Sequence, residues 1–187
     1  MYILKENIKY EQTIKKSKFI TYLYKIDSID EIKDLLDKIK KEYKDASHIV
    51  YAYIFENTFK YYDDKEPNST AGLPIYNALN KMKLTNTLAI VIRYFGGIKL
   101  GTGGLSRAYS SSITNAINKD MLKEYIKQKK YFFETDYENE KLLENILKDE
   151  EIINKKYIDK ITYEVLINEK NIDTIKNKLN NKIKMYE

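Results

Sequence analysis

The sequence predicts an α+β protein made of two domains. Its central segment, residues 86–117, passes from an apolar strand through a glycine-rich loop into a helix. Residues 128–187 contain strand and helix patterns that form a separate series. The charge balance also changes there, since residues 1–127 carry 21 basic and 15 acidic side chains and the remainder carries 12 and 13. We therefore predict one domain at residues 1–127 and a second at residues 128–187.

Three strands and a helix are predicted before the central segment. Residues 8–14 and 17–26 are rich in β-branched and aromatic side chains, and lysines fill the turn between them. The motif Ser-Ile-Asp-Glu at residues 28–31 is a capping box, which predicts the start of an amphipathic helix. Residues 46–55 form the next apolar strand.

That strand contains His48, which is the only histidine of the chain. A histidine can act as a general base, but no spacing typical of a serine triad surrounds this one. We therefore expect His48 to be a hydrogen-bonded structural residue, and we predict no catalytic residue.

An acidic loop follows, and it holds both prolines of the chain. Asp63, Asp64 and Glu66 place three carboxylates within four residues, and Thr70 comes shortly after them. Such a cluster can hold a hard cation such as Mg²⁺ or supply an acid–base pair, which would suit a metal-dependent hydrolase. The alternative is a polar turn that caps the helix beginning near Pro74. We favour the turn, because carboxylate clusters are common in loops.

The central segment predicts an anion site. Residues 88–92 are a continuous apolar run of strand length, and five of the six glycines lie between Gly96 and Gly104. Apolar or small side chains then recur at helical spacing through residues 105–117. Glycine lets another group approach the backbone closely, and a helix start presents unpaired N–H groups and the positive end of its dipole.

Two known phosphate motifs do not fit this loop. A P-loop closes with Gly-Lys-Ser/Thr, whereas Thr102 follows Gly101 here, and the dinucleotide motif needs a glycine where Ser106 stands. We therefore predict a phosphate or sulfate site of another kind, at a helix that starts near Gly104. The alternative is that the glycines only permit tight packing. The residues predicted to bind an anion or nucleic acid are Lys16, Lys18, Arg93, Gly96, Gly97, Lys99, Gly101, Gly103, Gly104 and Arg107.

The composition excludes several classes of protein. Cysteine is absent, which rules out disulfides, thiolate zinc sites and a cysteine nucleophile. No apolar run approaches the length of a membrane span, and the first residues lack the pattern of a signal peptide. We expect a cytoplasmic protein with no membrane partner and no cofactor.

Basic charge is concentrated around the glycine loop. The chain carries a net charge of +5, and no acidic residue lies between Pro67 and Lys119. Such a field attracts nucleic acid or another polyanion, although several of these lysines can be ordinary solvated surface. Nothing in the motif offers a code for reading bases, so we expect contacts mainly to phosphates. We expect the aromatic residues Tyr94, Phe95 and Tyr109 to belong to the core.

Residues 128–187 predict the order βαββαβ, which is typical of a ferredoxin-like domain. The predicted strands are residues 131–137, 152–158, 160–167 and 182–186, and the predicted helices are residues 138–148 and 168–179. We find no chemical motif in this half of the chain.

Four motifs together resemble the signature of the YigZ/IMPACT family. They are Lys-Lys-Ser-Lys-Phe at residues 15–19, His-x-x-Tyr-Ala at residues 48–52, the acidic loop at residues 63–74 and the glycine-rich run at residues 93–109. The resemblance covers nearly the whole chain, in the right order. The chain has Lys65 and Ser69 where the family usually has glycine, so we expect the acidic loop to differ in conformation. It also has Lys18 where the family has arginine, and serines at residues 110–112 where glycines are frequent.

The resemblance implies a first domain with the fold of a small-subunit ribosomal protein domain that also occurs in elongation factor G. It implies a ferredoxin-like second domain similar to the last domain of that factor. Members of the family are linked to the control of translation. We therefore expect a translation-related regulator that binds RNA or the ribosome through the basic, glycine-rich surface of its first domain. The alternative function is the metal-dependent hydrolase.

Overall fold

The computed structural model describes residues 1–187 and shows a mixed α/β fold. The chain divides into two units, with unit 1 comprising Met1–Tyr125 and unit 2 comprising Ile126–Glu187. Each unit has its own main sheet, and each has its own hydrophobic core. None of the helices combines the length and the apolar character that a membrane crossing requires.

Unit 1 is built around a five-stranded antiparallel sheet. Its elements are β1 (Tyr2–Leu4), β2 (Ile8–Ile14), β3 (Ser17–Lys25), α1 (Glu31–Glu42), β4 (His48–Phe55), β5 (Thr58–Tyr62), α2 (Gly72–Lys81), β6 (Thr87–Tyr94), α3 (Thr102–Thr114) and β7 (Leu122–Glu124). The sheet has the strand order β2-β3-β6-β4-β5, while β1 pairs with β7 in a separate ribbon.

The central strand β6 is buried on both faces, as its continuous apolar run predicts. Ala89 and Val91 belong to the core that the sheet forms with α2 and α3. Leu88, Ile90 and Ile92 belong to the core on the other face, where α1 packs. The strand ends at Tyr94, and the chain turns there into the glycine-rich loop.

Several boundaries differ from those that the sequence predicts. The helix α3 begins at Thr102, two residues before Gly104, because Gly101 already occupies the N-cap position with φ 73°. Ser28 does not cap α1; instead the Glu31 carboxylate accepts the N–H of Asp27 at 3.2 Å. Three short strands were not predicted, namely β1, β5 and β7, and β5 is exposed along its whole length.

Unit 2 contains β8 (Gln128–Thr135), α4 (Glu140–Leu147), β9 (Glu151–Tyr157), β10 (Ile161–Asn168), α5 (Ile172–Lys178) and β11 (Lys184–Tyr186). This is the predicted βαββαβ order. The four strands form an antiparallel sheet in the order β11-β8-β10-β9. Alternate residues of β8 and β10 are buried against both helices, among them Phe133 and Tyr163, which contact the core that includes Leu143 and Ile175.

Candidate anion and nucleic-acid site

The loop after β6 packs directly on the turn between β2 and β3. A Cβ atom at Gly96 would stand 2.0 Å from the carbonyl carbon of Lys16, so this close approach requires glycine. The hydroxyl of Ser17 accepts the N–H of Gly96 at 3.2 Å. Two predicted site residues, Lys16 and Gly96, are therefore adjacent although they are far apart in the sequence.

The other glycines have different roles. Gly97 and Gly101 lie in the left-handed region with φ 81° and 73°, and a Cβ atom at either would meet nothing within 4 Å. Gly103 and Gly104 belong to the first turn of α3. The first helical bond runs from the N–H of Leu105 to the carbonyl of Gly101 at 2.8 Å. The preceding N–H groups of α3 therefore lack a helical acceptor, as an anion site requires.

The predicted basic residues divide into free and engaged side chains. Lys16, Lys99 and Arg107 are exposed, and no carboxylate lies within ion-pair distance of them. Lys18 instead forms a salt bridge with Glu11 at 2.8 Å, which also lowers the pKa of the Glu11 carboxyl. The charge of Lys18 is therefore already balanced by a neighbour on the adjacent strand.

Arg93 is buried, which the prediction of a surface cation did not anticipate. Its Nη1 donates to Oε1 of Glu66 at 2.6 Å, and the hydroxyl of Tyr109 donates to the same oxygen at 2.7 Å. Burial, and then the adjacent carboxylate of Glu66, raises the pKa of Tyr109, so this hydroxyl remains a donor. Arg93 thus neutralises a buried carboxylate and is not a free contact for a phosphate.

The acidic loop forms a turn whose carboxylates bind backbone groups. Asp63 accepts the N–H groups of Ser69, Ala71 and Gly72 at 2.8–3.0 Å, and so it holds the start of α2. The hydroxyl of Thr70 donates to the carbonyl of Pro67 at 2.6 Å. The prediction of a polar turn that caps a helix is confirmed.

The three carboxylates of this loop do not share a ligand site. Asp64 accepts the N–H of Ile49 at 2.6 Å, while Glu66 faces Arg93 and Asp63 faces α2. No group of three histidine, cysteine, aspartate or glutamate side chains in the structure could hold a metal ion. The ligand set that a metal-dependent hydrolase would need is therefore not formed by this loop.

The acidic loop also keeps a backbone suited to glycine. Lys65 has φ 64° and Ser69 has φ 61°, both in the left-handed region. These are the two positions where the family pattern usually has glycine. The expected change of loop conformation is therefore not needed to accommodate the larger residues, which adopt the left-handed backbone instead.

A cavity of about 420 Å³ lies beside the glycine loop, and we call it the loop cavity. It is lined by His48, Glu66, Pro67, Arg93, Phe95, Lys99, Leu100, Gly101, Thr102 and Leu105. The Nδ1 atom of His48 donates to the carbonyl of Asp64 at 2.8 Å, and its Nε2 atom lies 3.8 Å from Oε1 of Glu66. His48 is hydrogen-bonded, as predicted, and it also borders a cavity that the sequence did not indicate.

The three aromatic residues of the signature occupy different environments. Tyr109 is fully buried, as predicted, but the Phe95 side chain is 48% exposed and borders the loop cavity. The Phe95 ring centroid lies 5.5 Å from Cζ of Arg93. Tyr94 is partly buried, and its hydroxyl donates to Asp45 at 2.9 Å. The expectation that Phe95 belongs to the core is therefore wrong, because the strand ends before it and its ring lies outside the packed layers.

The chain matches known proteins over most of its length. Residues 15–117 match the model of the Impact N-terminal domain. The IMPACT family member YvyE of Bacillus subtilis (strain 168) is 35% identical over 174 residues, which cover 90% of this chain and 80% of the relative. The IMPACT family member YigZ of Escherichia coli (strain K12) is 35% identical over 131 residues, 64% of each chain.

One solved structure also aligns over nearly the whole chain. It is the crystal structure of a hypothetical protein, with a TM-score of 0.69 and 27% identity, and the match covers 98% of this chain and 95% of the other. The segment matched by the domain model contains the acidic and glycine-rich loops. The chain therefore belongs to the IMPACT family.

Proposed function

We propose that this protein is a translation-related regulator that binds RNA or the ribosome through unit 1. One observation carries the proposal: free cations and unpaired backbone donors meet at the glycine loop. Lys16 packs on this loop through Gly96, and Arg107 approaches it through Gly103, where an added Cβ atom would lie 3.6 Å from Nη1 of Arg107. Lys99 lies within the loop itself. Together they form a surface that suits a polyanion.

The wider surroundings support the same function. The segment from Pro67 to Lys119 contains no acidic residue, and it supplies both α2 and α3. A phosphate backbone that approaches these helices meets no repulsive carboxylate from them. Membership of the IMPACT family supports a role in the control of translation, since the family resemblance implies that role.

The finer fold assignments belong to the same proposal. We infer that unit 1 has the fold of a small-subunit ribosomal protein domain and that unit 2 is a ferredoxin-like domain. The antiparallel order β11-β8-β10-β9 and the βαββαβ succession support the second assignment. Unit 2 has a nearly neutral charge balance, so we assign the RNA contacts to unit 1.

The contacts should involve phosphates more than bases. The free groups at the glycine loop are ammonium, guanidinium and backbone N–H groups, which all donate to phosphate oxygens. The signature motif offers no code for reading bases. We therefore expect RNA binding with weak sequence preference and strong dependence on salt. A regulator that binds the ribosome would also be located in the cytoplasm.

A salt titration of binding tests this function. For the parent protein, we expect the affinity for structured ribosomal RNA to fall steeply as salt rises. The plot of log affinity against log salt has a negative slope. Lys99→Ala and Arg107→Ala should each make this slope shallower by about 0.7–0.9. Lys41→Ala is the matched control, because it removes a lysine from α1 on the other face of the sheet, and it should leave the slope unchanged.

Circular dichroism must first show that each variant is folded. The proposal fails if the parent binds neither RNA nor ribosomes at low salt. It also fails if both loop variants keep the parent slope, because the charges at the glycine loop would then make no phosphate contact.

A further inference from the structure

We propose that the loop cavity binds a phosphorylated nucleotide, either free in solution or at the phosphorylated end of an RNA strand. This site goes beyond the exposed surface that contacts an RNA backbone, because it is a concave pocket with a buried floor. Its volume of about 420 Å³ falls within the range of small-molecule sites. Arg93, Glu66 and Leu105 line it and are buried, while Phe95 and Lys99 line it and are exposed.

One side of the cavity suits a phosphate. It is bordered by Lys99 and by Gly101 and Thr102 at the start of α3, where backbone N–H groups lack a helical acceptor. The single carboxylate in the lining belongs to Glu66, and Arg93 balances its charge at 2.6 Å. With Lys99 unpaired, the lining therefore retains a net positive charge.

A buried donor without a partner supports a ligand independently of the helix start. The side chain of Arg93 is only 5% exposed, and its Nε atom has no hydrogen-bond partner. Buried polar groups in proteins are nearly always paired, so an unpaired nitrogen in a side chain that lines the cavity needs an explanation. A small shift of the Arg93 side chain on ligand binding would expose this N–H group to an acceptor oxygen of the ligand, while Nη1 keeps its pairing with Glu66.

Other residues of the cavity lining suit a base. Phe95 is 48% exposed. The Cζ atom of Arg93 lies over one face of its ring, 5.5 Å from the ring centroid. Pro67 and Leu100 add further apolar surface to the same lining. Aromatic rings beside phosphate-binding groups accommodate nucleobases by stacking, which depends little on the identity of the base. A phosphate site and a stacking surface in one pocket of this size specify a nucleotide.

His48 completes the pocket and provides a direct probe of it. Its Nδ1 atom donates to the carbonyl of Asp64, so the neutral ring carries its lone pair on Nε2. That nitrogen can accept from a ribose hydroxyl. Because His48 is the only histidine, its Hε1 ring proton gives a single, unambiguous resonance that reports on occupancy of the pocket.

The test is a titration of the full-length protein with AMP, adenosine and inorganic phosphate at low salt. Binding is measured by calorimetry and by the shift of the His48 resonance. We expect AMP to bind and to shift that resonance, and we expect adenosine and phosphate to bind at least about tenfold more weakly than AMP. Lys99→Ala should weaken AMP and phosphate alike. Phe95→Leu should weaken AMP and leave phosphate unchanged. Lys81→Ala removes a basic residue outside the cavity lining and is the control.

Two short RNAs distinguish the sources of the nucleotide. A trinucleotide with a 5′-phosphate that binds more tightly than AMP identifies an RNA end as the ligand, whereas tighter binding of AMP identifies the free nucleotide. The proposal is overturned if AMP at about 10 mM produces neither heat nor a shift of the His48 resonance. It is also overturned if Lys99→Ala and Lys81→Ala weaken AMP equally. These outcomes are independent of RNA backbone binding, which the salt titration measures separately.

Discussion

Two residues of the acidic loop pay a conformational cost that glycine would avoid. Lys65 and Ser69 hold φ 64° and 61°, where a side chain costs about 1–2 kcal/mol and glycine costs little. Glycine also increases the freedom of the unfolded chain, which offsets part of the gain. We expect Lys65→Gly and Ser69→Gly each to raise the free energy of unfolding by about 0.5–1 kcal/mol in urea titrations.

A matched control separates this effect from the general cost of glycine. Lys38→Gly lies at an exposed position inside α1 and should lower the free energy of unfolding by about 1 kcal/mol. If both loop variants lose stability as this control does, the left-handed strain at Lys65 and Ser69 is absent.

The buried hydroxyl of Tyr109 should make unit 1 sensitive to alkaline pH. Burial and then the carboxylate of Glu66 raise the pKa of Tyr109, whereas an unfolded tyrosine releases its proton near pH 10. The associated stability is complete below about pH 10 and is lost as the pH rises further, because only the unfolded chain can then release the proton. We expect Tyr109→Phe to flatten this decline.

The measurement is the free energy of unfolding of the parent and the variant between about pH 8 and 11. Tyr186→Phe, at an exposed tyrosine of unit 2, is the control. In this variant, the free energy of unfolding of unit 1 should decline with pH as steeply as in the parent. An unchanged slope for Tyr109→Phe would show that this hydroxyl ionises in the folded protein as readily as in the unfolded chain.

At the scale of elements, the glycine loop joins two parts of the sheet that are distant in sequence. Gly96 has no room for a Cβ atom, which would meet the backbone of Lys16 at 2.0 Å. We expect Gly96→Ala to lower the stability of unit 1 by about 3 kcal/mol or more, because backbone atoms on both sides must move. Thermal and urea unfolding of the full-length protein would measure the loss.

Gly103→Ala is the matched comparison, because it changes a glycine only seven residues away. Its Cβ atom would meet only the flexible end of Arg107 at 3.6 Å, and the residue lies within α3. Alanine favours a helix over glycine, so we expect stability to rise by about 0.5–1 kcal/mol. If Gly96→Ala and Gly103→Ala lower the free energy of unfolding equally, the contact between Gly96 and Lys16 does not form.

The elements that the sequence predicts well are those with a strong hydrophobic pattern, either a continuous run or a helical repeat. The apolar run of β6 and the helical repeat of α3 follow from burial on a sheet and on one helix face. The strand β5 carries exposed aromatic residues and lies at the edge of the sheet, so no buried alternation marks it. The strands β1 and β7 have three residues each, which is too short for a periodic pattern.

The candidate site is only partly predictable for a related reason. The glycine spacing and the capping Asp63 are local signals, and the structure contains both. The pairing of Arg93 with Glu66 joins β6 to the acidic loop, and residue type alone suggests two exposed charges. The loop cavity likewise depends on packing between distant segments, so no stretch of sequence indicates that His48 and Thr102 line one pocket.

At the scale of the whole molecule, the separate cores predict separate unfolding of the two units. Phe133 is fully buried in the core of unit 2. Phe133→Ala should cost unit 2 about 3–5 kcal/mol through the cavity that it leaves. We expect hydrogen exchange of β10 amides to accelerate accordingly, while β6 amides keep their protection. Equal acceleration in β6 would show that the units unfold together.

Backbone amide NMR with a short structured RNA measures most directly whether unit 1 binds RNA at the glycine loop. At low salt, we expect the largest shifts at Lys16, at residues 96–104 and at Arg107, with small shifts in unit 2. The shifts should diminish as salt is added. The absence of shifts at low salt, or shifts confined to residues 126–187, would contradict the assignment of RNA binding to the basic surface of unit 1.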